Sequence, residues 1–300
     1  MSTTLRVGTF TPSFLIALAR EDGRFAQAGL DVVEEAVSSS PQQFRSLASG
    51  DYDVVFTNTD NVIAYQFLED NPLQTLLALR VFAGVDRGLG LGLYRGVHVD
   101  PRAREARVGV DVATSGFAFV AYEVLSRQGY SLAQMTVENL GATPRRAAAL
   151  VEGACDYTIL NAGNELRAAR RGCVLVEPVT AIGPYLGTVL AALRSDDPER
   201  VAAQNRFRDV LEDTIASVLS GARDSDVVGV VRGLLELDED DARQHLRAIT
   251  DPATGLVSGV GVDVASLATV VALRQRHRPH PVLETVLGSL DEFIDPDVLV

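Results

Sequence analysis

The chain has 300 residues, 47% of them hydrophobic and 22% charged, with a formal net charge of −13. That is the composition of a folded protein long enough for one large or two ordinary domains, and its acidic surplus argues against a nucleic-acid partner or an anionic membrane. All 27 basic residues are Arg, which removes lysine nucleophiles and with them a pyridoxal-phosphate Schiff base.

The opening Met-Ser-Thr-Thr runs directly into an apolar strand at residues 5–9. It has neither the basic start, the long apolar run nor the small-residue cleavage site of a secretory signal. The expectation is a cytoplasmic protein as written, or an extracytoplasmic one, such as periplasmic, if a leader has been removed. No window approaches the roughly 20 apolar residues of a membrane span, so no membrane insertion is expected. A loop (Phe10, Thr11, Ser13) leads into an amphipathic helix and a second strand, and then into a helix opened by Pro41. A third strand at 53–56 ends in a polar turn containing Thr57, Asn58, Asp60 and Asn61. Residues 53–56 and 73–79 are apolar without strict alternation, the pattern of strands buried on both faces. The glycine-rich stretch 82–94 reads as an extended crossover, with Arg80, Asp86 and Arg87 beside it as surface ion pairs or as holders of a carboxylate.

From Ala106 the order begins again. LRVGTFTPSF becomes ARVGVDVATSGF, Pro144 opens a helix as Pro41 does, and SGDYDVVFTNTDN becomes EGACDYTILNAGN. Gly50, Asp53, Asn58 and Asn61 align with Gly153, Asp156, Asn161 and Asn164. A repeated βαβαβ order demands parallel strands, right-handed crossovers and helices on both sheet faces. The fold class expected is α/β, with two Rossmann-like lobes and a central cleft. Ligands of such sheets sit beyond the carboxyl ends of the strands. Residues 187–193 return as a strand to the first lobe, and helices follow at 198–220, 226–237, 240–249 and 262–276. The expected division is residues 1–85 plus 188–300 as a discontinuous first lobe, and 86–187 as the second.

The remaining chemistry is sparse. Cys155 and Cys173 lack metal-ligand spacing and read as buried thiols. His98, His245, His277 and His280 are scattered, and the arginine-rich stretch 274–278 reads as a solvated helix end. There is no phosphate loop, metal motif or Ser-His-Asp order, so neither cofactor nor metal is expected. Thr114 or Ser115 can cap the following helix or, with Gly116 and Phe117, present unpaired N–H groups to an anion. Asp60 and Asn164 read as helix caps.

The string REDGRFAQAGLDVVEEAVSSSPQQFRSLASGDYDVVFTN, with its Gly23-Arg24-Phe25 and Gly29-Leu30 elements, resembles the opening of the type II periplasmic substrate-binding proteins. The similarity is greatest to the sulfonate, taurine and thiamine-precursor group, and residues 292–299 resemble that group's closing segment. The resemblance implies a cleft that closes on a small anionic or heteroaromatic ligand. The positions matching its anion contacts are Thr114, Ser115 and Gly116; Phe10, Thr11, Ser13, Thr57, Asn58, Phe117 and Asn161 are further candidate contacts by their place at the cleft rim. The partner it implies is a small molecule, with a transporter permease as a further partner or a cytoplasmic sensing role instead. The lysine and Cys/His-rich motif of the thiamine-precursor enzyme have no counterpart here, so that activity is not carried over. A cofactor-free lyase acting on a cyclic or aromatic carboxylate is the alternative, with Asp60, Asp111 and Glu165 as its candidate acids.

Overall fold

The computed structural model describes residues 2–100 and 102–300. The first half-chain runs β1 (Thr3–Thr9), α1 (Phe14–Glu21), α2 (Arg24–Gln27), β2 (Leu30–Ala36), α3 (Ser40–Ser49), β3 (Val54–Thr57), α4 (Thr59–Phe67) and β4 (Leu79–Asp86). The second runs β5 (Gly92–Arg95), β6 (Ala106–Val110), α5 (Gly116–Arg127), β7 (Met135–Asn139), α6 (Thr143–Glu152), β8 (Tyr157–Leu160), α7 (Asn164–Arg170) and β9 (Val174–Pro178). β10 (Thr188–Leu193) then precedes α8 (Pro198–Leu219), α9 (Asp224–Leu235), α10 (Glu239–Thr250), α11 (Val264–His277) and α12 (Leu283–Val286). Two five-stranded sheets result, ordered β2-β1-β3-β10-β4 and β7-β6-β8-β5-β9. The chain passes between them after β4 and again after β9. In each sheet four strands run in one direction, while β10 and β5 run antiparallel to both their neighbours.

The internal repeat extends to individual hydrogen bonds. Asp53 Oδ2 accepts from the Arg6 amide at 2.9 Å, and Asp156 Oδ2 accepts from the Arg107 amide at 2.8 Å. Gly50 and Gly153 end α3 and α6 in the left-handed region, at φ 83° and 77°. Both faces of the first sheet are buried: Val54 and Phe56 pack with α1 and α8, while Val55 faces the opposite core, which continues into the second lobe. One expected strand is displaced. Residues 73–77 form a turn, because Asn71 accepts from the Leu73 amide and donates to the carbonyls of Leu68 and Thr75. The strand begins only at Leu79.

The C-terminal helices hold the main departure from the sequence reading. Arg274 belongs to no solvated helix end: it is 1% exposed, and its Nε and Nη2 each donate to Asp60 at 2.7 Å. Nη2 also donates to the carbonyl of Thr114 at 3.0 Å, so the pair joins α4, α11 and the β6–α5 loop. Arg80 is likewise buried, paired with Asp295. On the other flank, Arg170 of α7 pairs with Asp238 and Asp241 beside α10. Near that contact Glu165 is buried, with one carboxyl oxygen unpartnered and the other against Gly90. Burial pushes its pKa up to about 8.

Two outcomes follow from these buried groups. Arg274→Met leaves Asp60 charged and unpaired in the core, and urea unfolding should show a loss of about 3–5 kcal/mol. The Asp60→Asn, Arg274→Met double variant should recover part of that loss, because no lone charge remains. For Glu165, the folded pKa lies above the unfolded value of about 4.3. The folded state therefore binds the extra proton between those values, and stability falls as pH rises towards about 8. The slope is at most about 1.4 kcal/mol per pH unit. Glu165→Gln should flatten the decline in urea midpoint between pH 6.5 and 8; parallel curves for the two proteins would contradict it.

Candidate functional site

The carboxyl ends of both sheets' strands converge on a cavity of about 120 Å³ between the lobes. Since a water needs roughly 10–15 Å³, the space suits a ligand of about ten non-hydrogen atoms. Phe10, Thr11 and Ser13 line it from the β1–α1 loop, and Thr57 and Asn58 from the end of β3. Asp111, Ser115, Gly116 and Phe117 line it from the β6–α5 turn, and Asn161 from the end of β8. Thr114 does not line it. Nor do Asp60, which is committed to Arg274, or Glu165, which is buried beside Gly90.

Local sequence sets what each lining group has left to offer. Ser13 Oγ caps α1 through the Ile16 amide, and Ser115 Oγ caps α5 through the Ala118 amide at 3.3 Å. Capping uses a lone pair of Ser115 and leaves its hydroxyl proton free to donate. Asn58, not Asp60, caps α4; its amide nitrogen donates to Tyr185 Oη and the Gly187 carbonyl, so both its donors are employed. Asn164 is not a cap either: its amide donates to Thr11 Oγ1 across the cleft and to the Asn161 carbonyl, while Gly163 occupies the cap position. A Cβ at Gly116 would lie 2.5 Å from Asn58 Oδ1, so only glycine permits this close approach of the lobes.

Asp111 bridges the lobes at a helix end. Its Oδ2 accepts from the Ser40 amide at 2.9 Å, at the N-terminus of α3, where the helix dipole favours an anion. Its Oδ1 has no partner among the described residues. Three further lining groups escaped the sequence reading of the site. Arg146, at 2% exposure, donates to the Gly141 and Ile159 carbonyls and to Thr143 Oγ1, with Nε unpartnered. Burial pulls its pKa down to about 10. Asp86, read as a surface ion-pair group, is buried, accepts from the Gly88 amide at 2.7 Å and is pushed up to about 6 by desolvation. His245 of α10 is 1% exposed. The repeat held a signal for Arg146: it stands where Gln43 stands in the first copy, two residues after the helix-opening proline.

No family model and no curated protein matches this sequence, whereas the three-dimensional arrangement is widely shared. The nitrate-binding protein NrtA of Synechocystis PCC 6803 superposes with a TM-score of 0.76 at 13% identity, over 99% of this chain and 87% of that one. The alkanesulfonate-binding protein SsuA of Xanthomonas axonopodis pv. citri, bound to MOPS, gives 0.72 at 15% identity, over 94% and 96%. The CA3427 gene product of Candida albicans, described as having the generic periplasmic binding protein fold, gives 0.72 at 15% identity, over 98% and 96%. The chain has the periplasmic-binding-protein fold: two α/β lobes facing each other across a central cleft.

Proposed function

We propose that this chain binds one small ligand between its lobes, as a transporter-type solute-binding protein working with a permease or as a cytoplasmic sensor. The observation that carries the reading is the interlobe cavity, lined by strand-end residues of both sheets. Residues 1–85 with 188–300, and 86–187, would then act as the two jaws. NrtA and SsuA are named for nitrate and alkanesulfonate, but the cavity lining favours a different ligand charge. It presents the carboxylates of Asp86 and Asp111 against the single guanidinium of Arg146. A simple anion would meet like charge at short range in a site that screens little. A neutral heteroaromatic ligand avoids that repulsion, can donate to Asp111 Oδ1 and can lie against Phe10, Phe14, Phe56 and Phe117. The lyase alternative retains Asp111 alone of its three candidate acids in the cavity lining.

A panel of near-equal size tests this reading. Benzamide and pyridine-4-carboxamide should raise the melting temperature, while benzoate and benzenesulfonate should not. Asp111→Asn should weaken carboxamide binding by about tenfold or more in calorimetry, since a bond to a charged acceptor is lost. Stabilisation by the two anions alone would return the site to anion recognition. If none of the four binds, and native mass spectrometry finds no co-purified small molecule, the binding reading fails.

Ser115→Ala tests the α5 turn separately. Because Ser115 is the helix cap, the substitution should lower folding stability by about 1 kcal/mol. Loss of its hydroxyl proton should also weaken carboxamide binding beyond what the stability change explains.

A further inference from the structure

His245 lies in the first turns of no strand-end loop: it sits within α10, in the outer helix layer, yet it reaches the cavity. It is 1% exposed, and neither ring nitrogen has a hydrogen-bond partner among the described residues. The ring stands edge-on to Phe14, with centroids 6.3 Å apart and planes at 81°. Leu235, Leu256, Val85 and Leu89 also line the cavity from β4, the loop after it, α9 and the segment after α10. A phenylalanine or leucine would fill such surroundings without burying polar atoms. An imidazole whose two nitrogens are both unsatisfied is costly there unless something arriving in the cavity completes it.

We propose that His245 is a ligand-contacting, specificity-determining residue, whose ring N–H donates to an acceptor atom of the bound heteroaromatic molecule. This rests on the small-ligand reading above and adds a second point of recognition to it. Asp111 reads a donor from the second lobe, and His245 reads an acceptor from the helix layer of the first. The ligand class is thereby narrowed to small rings carrying a donor group and, separately, a ring nitrogen or carbonyl. Burial pushes the imidazole pKa down to about 4, so near neutral pH the ring is uncharged and carries one donor and one acceptor. A ring nitrogen or carbonyl of the ligand can accept the imidazole proton.

Benzamide and pyridine-4-carboxamide differ by one ring nitrogen and are otherwise alike in shape. Wild type should bind the pyridine compound about tenfold more tightly than benzamide, the contribution of about one hydrogen bond. His245→Phe should erase that preference, bringing the affinities for the two compounds within about threefold of each other. In wild type labelled with ¹⁵N-histidine, the pyridine compound should shift the His245 imidazole signals more than benzamide does; this arm does not depend on a variant folding. Equal affinity of wild type for the two compounds would overturn the proposal. So would a preference that survives in His245→Phe, or imidazole signals that fail to respond. Benzamide binding in wild type shows that the small-ligand reading stands whichever way the preference falls. Failure of both compounds to bind overturns the His245 proposal, while the small-ligand reading falls only if the two anions also fail and no co-purified small molecule is found.

Discussion

Arg274 gives Nε and Nη2 to the Asp60 carboxylate and shares Nη2 with the Thr114 carbonyl, at a point where three distant parts of the chain meet. Its guanidinium also lies 4.9 Å from the centroid of Phe119 on α5. Phe119 stacks in turn on His277, whose ring contacts Glu123 at 3.2 Å. A buried pair of this kind gains little over an apolar one, since desolvation offsets most of the attraction. Its effect is conditional: once the two charges are buried, neither can be left without the other. That condition fixes α11 against α4 and α5 together, and so sets the C-terminal helices across the junction of the lobes. The opposite flank is held differently, by Arg170 at half exposure with Asp238 and Asp241, where solvent screens the attraction. The two sides of the cleft are therefore joined by interactions of very unequal cost to break.

Within the cleft, helix N-termini decide where charge can sit. The anion-favouring end of α3 is taken by Asp111, a carboxylate supplied by the other lobe. The end of α5 is capped by Ser115, and the end of α4 by Asn58. Each helix end thus has a protein group attached to it, and what remains facing the cavity is the residual capacity of those groups. For Asn58 both donors are engaged; for Asp111 one oxygen remains, and for Ser115 a hydroxyl proton. A carboxylate oxygen and a hydroxyl proton, more than a bare positive helix end, make up what these termini leave for recognition.

The sheets and the rim of the cleft were legible because a duplicated pattern reports on itself. The glycine caps, the two aspartates bound to strand amides and the strand-end asparagines occur twice at matching positions. What could not be read was any relation between residues far apart. Arg274 looks like part of a solvated arginine run until Asp60, distant in sequence, is placed beside it. His245 lies in a helix whose charges mark an exposed face, and only the packing of α10 near Phe14 turns that one ring inward. The turn at 73–77 was misread because its apolar residues carry no record of Asn71, whose amide shapes the loop through three hydrogen bonds.

The differences between the two copies matter as much as their likeness. Gln43 and Arg146 occupy the same place, and each donates to the carbonyl of an equivalent strand residue, Phe56 or Ile159. At the end of the first strand of each copy, Phe10 stands where Asp111 stands in the other. One lobe therefore carries a neutral amide and an aromatic ring, and the other a guanidinium and a carboxylate, on the same backbone framework. Asp111 raises the Arg146 pKa against the lowering by burial, so the two substitutions support each other within the second lobe. The two copies keep one framework, and these differences make them chemically unequal. A ligand held between them meets the rings of the first lobe, with Asp86 at the end of β4, on one side and the opposite charges of Asp111 and Arg146 on the other. Its orientation in the cleft is then fixed by that asymmetry, even though the surrounding scaffold is nearly symmetric.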